Sequence, residues 1–156
     1  MRSVLQPRPA ERGQTVIEFA LLAPVIFLLL FLIVDFGIAL DRRIVIQHAV
    51  REGARAAAVQ ADPAGALDAT VDQAQGLVDP AAVTVCFVDK NLDGLANALE
   101  PVKVSLTYDY YYTVPFGSLL GAFGVPHDVK ITMTPSATSA LENDPPSGVT
   151  FTECPP

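Results

Sequence analysis

From Phe19 to Val34 every residue of this chain is apolar or proline, and beyond the single charge of Asp35 the apolar character continues to Leu40. At about 1.5 Å of rise per residue, a helix over 19–40 is roughly 33 Å long, enough to cross the hydrocarbon core of a bilayer. A helix that is apolar on every side needs cover on every side. The remainder of the chain holds most of the 13 prolines and of the 17 acidic residues, and is too polar and too interrupted to provide that cover. The stretch therefore reads as one transmembrane segment over about 19–40.

The chain beyond this segment is long enough for one small core and too short for two. The net charge of −7 argues against a nucleic-acid partner, because phosphate binding depends on Lys and Arg, and it suits a solvated extracytoplasmic domain. Both cysteines, Cys86 and Cys154, lie after the membrane segment. An even count there points to one Cys86–Cys154 disulfide in an oxidising space, the alternative being two unrelated thiols. Ahead of the segment, Arg2, Arg8 and Arg12 stand against Glu11. This leader is positive like that of a signal peptide, but the apolar run is longer than a cleaved one and has no small-x-small exit. Arg42, Arg43, Arg51 and Arg55 on the far side compete with the leader arginines, so charge counting leaves the topology open. The cysteines and the strand-rich segment favour the N-terminus inside and the C-terminal domain outside.

Glu18 sits where the apolar helix begins, and a carboxylate at the bilayer centre costs on the order of 2.5–3.5 kcal/mol, less near the interface. Two accounts offset that cost. Thr15-Val16-Ile17-Glu18 fits a capping box with Thr15 as N-cap. Alternatively, Glu18 meets a cation from another molecule. Asp35, about 25 Å further along the helix than Phe19, falls near the outer headgroups, where its side chain can reach water or pair with a neighbouring subunit.

The run Gly13-Gln14-Thr15-Val16-Ile17-Glu18 resembles the processing site of type IV pilin-like proteins. With Asp35-Phe36-Gly37 and His48-Ala49-Val50-Arg51-Glu52-Gly53-Ala54-Arg55 coming after it in order, residues 12–58 resemble the TadE-like family of tight-adherence pilus pseudopilins. Asp35 stands where the family commonly has Glu, and Val50 where it commonly has Ala. The resemblance implies a minor pseudopilin that is cut after Gly13 by a prepilin peptidase, so that Gln14 presents a new amine. It implies that Glu18 pairs with the corresponding amine of a neighbouring subunit. The implied partners are other pilin-like subunits and inner-membrane pilus assembly proteins, and the implied location is the bacterial inner membrane, single-pass, with incorporation in a surface pilus and a role in adhesion.

Beyond Leu40, Ile44, Val45, His48, Ala49, Glu52, Ala56 and Val59 recur at spacings of three and four and extend the helical pattern to Ala61, giving one long helix over 14–61. Gly53 is tolerated there at about 1 kcal/mol, and the 51–55 stretch has small residues for docking on a sheet or on a subunit. Asp62-Pro63-Ala64-Gly65 reads as a turn, and Leu67, Val71, Ala74 and Val78 as the face of a short helix ending before Asp79-Pro80. Val83–Val88 and Val102–Tyr112 read as strands, the second with Val102, Val104, Leu106, Tyr108, Tyr110 and Tyr112 on one face. Val129–Met133 is expected to close an antiparallel sheet. The 115–126 segment is apolar and Gly-rich, suited to a flap, a membrane contact or a partner. The extracytoplasmic domain thus covers 62–141, and the Pro-rich tail 142–156 is expected without regular structure, apart from Cys154.

Asp89, Asn91, Asp93, Leu95 (through its carbonyl) and Glu100 have the spacing of a calcium loop, D-x-[DN]-x-[DN]-G-x5-E. A strand precedes it, and Pro101 biases Glu100 away from helix. The same Asn, Asp and Gly residues suit a plain acidic hairpin connection. No Ser/His/Asp or Cys/His constellation, phosphate loop or zinc spacing is evident, so catalysis is not expected. The expectation is a pilin-like α+β fold, with a long N-terminal helix on a small antiparallel sheet, requiring no cofactor and having calcium only as an optional ligand. The competing reading is a membrane-anchored extracytoplasmic binding domain, calcium-dependent or not, outside any filament.

Overall fold

The computed structural model describes residues 10–112, 124 and 130–155, with side chains from residue 14. The apolar segment 115–126, save the turn at Gly124, and Val129 lie outside the described residues. The fold is α+β, one long N-terminal helix packed against small sheets. Helix α1 runs from Ala10 to Gln60 and includes Pro24. It starts upstream of the expected Thr15, so Thr15 is no N-cap and the capping-box account of Glu18 fails in the uncut chain. Ala61, at φ 49°, turns the backbone out of the helix.

The chain divides into a unit holding α1 up to Ile38 and a unit that begins at Ala39. In the first, α1 is mostly apolar and exposed, Asp35 being the buried exception, with no cover over its most hydropathic window. It is long and apolar enough to cross a membrane. In the second, α1 alternates between buried and solvent faces at helical spacing, and Ile46, Ala49, Val50 and Ala54 enter the core.

Helix α2 spans Pro63–Gln73. The expected turn at Asp62 is its N-cap: the Asp62 carboxylate accepts from the amides of Ala64 and Gly65, and Pro63 sits where a missing N–H costs nothing. A 3-10 turn over Pro80–Ala82 leads into β1, Val83–Phe87. Strand β2, Pro101–Leu106, pairs antiparallel with β1 and buries Val102, Val104 and Leu106 while Lys103 faces solvent. That is the period-two pattern of a sheet with one covered face.

The long strand expected over 102–112 is two. After Thr107 the chain continues as β3, Tyr108–Tyr111, in a different sheet, where it pairs with β4, Lys130–Met133. The third expected strand therefore joins β3 in a two-stranded ribbon rather than closing the main sheet. The main sheet has four strands in the order β5-β2-β1-β6. Strand β5, Ser136–Ala140, adds antiparallel to β2. Strand β6, Thr152–Glu153, adds parallel to β1, so the sheet is mixed and the tail is not wholly irregular.

Two apolar clusters fill the second unit. One joins Ile46, Ala49, Val50 and Ala54 of α1 to Val78, Val83, Val104 and Leu106. The other joins Ala57, Ala61 and Ala66 to Phe87, Val102, Leu141 and Phe151. Cys86 and Cys154 form a disulfide across 68 residues, tying the tail to β1 beside the backbone bond from Cys154 N–H to the Phe87 carbonyl (2.8 Å).

Candidate functional site

The N-terminal segment brings the expected processing and assembly residues onto one rod. Gly13 lies within α1. One turn on, the Gln14 side-chain amide donates to the Glu18 carboxylate at 3.2 Å, an i,i+4 contact that helical geometry favours. Glu18 is exposed and is surrounded by exposed apolar neighbours, including Val16, Ile17 and Phe19. The carboxylate is thus presented on the outside of the helix, where a second molecule can reach it.

Asp35 differs from expectation. Its side chain is 2% exposed, between half-exposed Val34 and Phe36, so it is covered by protein rather than extended to water. Glu18 and Asp35 are some 25 Å apart along α1, at about 1.5 Å per residue, and do not form one site.

The motif at 51–55 separates into two faces. Arg51 and Arg55 point outward, and Arg55 Nε donates to the Glu52 carboxylate at 3.0 Å. That contact lowers the Glu52 pKa and raises that of Arg55. Gly53 and Ala54 point inward. A Cβ on Gly53 would meet the Thr70 hydroxyl and lie 3.1 Å from the Ala66 carbonyl, so α2 packs directly on α1 at Gly53. Ala54 lies in the cluster with the sheet. The docking partner of Gly53 is α2 rather than the expected sheet.

The 89–100 connection brings its five expected residues into one loop, but turns the side-chain oxygens onto its own backbone. Asp89 accepts from the amides of Leu92 (2.6 Å) and Gly94 (2.8 Å), Asn91 from Asp93 (3.0 Å), and Asp93 from Leu95 (2.8 Å). Buried Glu100 accepts from Lys90 and Asn97 (3.0 Å each). The Leu95 carbonyl accepts from the Asn97 side chain at 3.2 Å. The Leu95 amide, ahead of the Asn97 and Asn91 side chains, holds the Asp93 carboxyl below the usual carboxylate range. Among the described residues no three His, Cys, Asp or Glu are grouped to hold a metal ion.

Spacing alone did not reveal the role of Asp144, whose carboxylate crosses from the tail to accept from the Ala98 amide at 2.7 Å. Loop and tail together line an open cleft of about 410 Å³. Its only sequence signal was an acid in a Pro-rich stretch.

Comparison with curated proteins gives no match, nor does comparison with solved structures. The family model described as TadE-like protein matches residues 13–55, from the glycine at the expected cut to the last arginine of the 51–55 motif, and that segment is what the chain shares with the family.

Proposed function

We propose that the chain is a minor pseudopilin of a tight-adherence pilus, acting by helix-to-helix assembly rather than by catalysis. The observation that carries this reading is the coincidence of the family match, which opens at Gly13, with an uncovered apolar helix presenting Glu18 on its surface. A prepilin peptidase removes residues 1–13 and leaves Gln14 with a free amine. In the low dielectric of the bilayer, that amine and the Glu18 carboxylate of a neighbouring subunit both lose less by meeting than by staying apart. The contact from Gln14 to Glu18 within the uncut chain is a local substitute for it. The extracytoplasmic unit comes after the membrane segment, its disulfide formed in an oxidising space. The 89–100 loop holds its shape through its own amides, so calcium is at most an added ligand.

Intact-mass analysis of protein from cells that have the peptidase tests the reading. A chain starting at Gln14 is expected. A Gly13→Val variant should remain uncut, and Glu18→Ala should be cut but incorporated poorly into assemblies with other pilin-like subunits. A native chain that keeps residues 1–13 would leave a membrane-anchored binding domain instead.

A further inference from the structure

The connection between β1 and β2 carries three leucines that the fold does not cover: Leu92, Leu95 and Leu99 are 85%, 63% and 80% exposed. Leu92 and Leu99 also occupy the left-handed backbone region, at φ 62° and 70°, which bulky side chains rarely adopt. Around them the surface is acidic on balance, with Asp89, Asp93 and Asp144 against the one exposed lysine of the connection, Lys90. Leucines placed in water among aspartates suit a partner that is apolar and basic. An anionic lipid surface would repel this loop.

The same unit holds such a surface. On α1, Ile44, Arg51, Arg55 and Val59 recur at helical spacing on one stripe, all exposed. From residue 41 to 60 the helix has four arginines against Asp41 and Glu52, whereas after residue 60 the chain has three lysines against twelve acidic residues. Basic charge is thus concentrated on the helix and acidic charge on the rest. Leucines and stripe are both uncovered, so they do not cover each other within one chain.

We propose that the 88–99 connection of one copy docks on the Arg51/Arg55 stripe of α1 in a second copy, its leucines against Ile44, Val59 and the arginine stems and its aspartates toward the guanidiniums. This rests on the assembly reading and adds a contact outside the membrane.

The test is photo-crosslinking of the full chain in membranes of the pilus-producing cell, with a benzoyl-phenylalanine probe at Leu95 or, separately, at Leu22 in the apolar helix. The Leu95 probe is expected to give a two-copy adduct that maps by mass spectrometry to residues 41–60. The yield should fall about tenfold in an R51E/R55Q variant, since like charges then face each other. In that variant, retention of the Cys86–Cys154 bond and of Leu22 adducts shows that the chain is folded and assembled. If Leu22 adducts between copies form while the Leu95 probe labels lipid, another region or nothing, this contact is wrong and the assembly reading stands. If neither probe joins two copies, both fall.

Discussion

At Gly53 two helices leave no room for a side chain. Alanine there would gain about 1 kcal/mol of helix propensity, but its methyl would overlap the Thr70 hydroxyl and press on a backbone carbonyl that cannot rotate away. Overpacking of this kind costs about 1–3 kcal/mol, so the clash wins. Gly53→Ala should lower the melting temperature of the detergent-solubilised chain, and adding Thr70→Ala should recover part of the loss. Glu100 makes a second residue-scale case. Its buried carboxylate serves two amides, and glutamine can offer only one acceptor oxygen, so Glu100→Gln should cost about 1–3 kcal/mol. Hydrogen exchange at Lys90 and Asn97 should accelerate with it. Neither role was legible from spacing. Gly53 was visible as a small residue in a motif, and Glu100 as the last position of a metal-loop pattern, but the direction in which a side chain points is decided by the elements around it.

At the scale of elements, the β3–β4 ribbon carries a cross-strand ion pair whose exposure limits it to a modest, salt-screened contribution. Lys130 and then Thr132 bond the Asp109 carboxylate and hold its pKa below the usual carboxylate value, while Asp109 raises that of Lys130. A depressed acid contributes stability that is present above its unfolded pKa, near 3.9, and is lost as pH falls through the folded value. A raised lysine contributes stability that is complete below about 10.4 and is lost as pH rises through its folded value. The ribbon should therefore keep its pairing between these limits and loosen in acid, with NMR cross-strand contacts between Asp109 and Thr132 as the readout. In Lys130→Ala the Asp109 titration should move back toward the unfolded value. The extramembrane part of the helix and strand β2 were legible because burial imposes a period of three to four on one and of two on the other, and β1 because its Val-Thr-Val-Cys-Phe run is of strand-forming residues. Strand β5, Ser-Ala-Thr-Ser-Ala, was not, since small side chains carry little pattern and its place comes from pairing with β2. The break at Thr107 was hidden for the opposite reason, because the alternation passes through it unchanged while the chain changes sheets.

For the whole molecule, the tail is held by one covalent link, a two-residue strand, the Asp144 bond to the Ala98 amide and the buried Phe151 ring. Closing a loop of 68 residues is worth about 4 kcal/mol in the chain-entropy account. Reduction should lower the chemical-denaturation midpoint accordingly, and release of β6 should expose Phe151 to solvent and to proteolysis in the 142–155 region. The distribution of charge matters at this scale too. The leucine-bearing loop and the arginine stripe are unlike surfaces, so their union is heterologous rather than a twofold exchange. Each newcomer that engages with one of them leaves the other available to its successor. Unless the rotation closes a ring, copies linked in this way form an open row with a direction, whose leading and trailing ends differ chemically and can be told apart by whatever adds to or caps them.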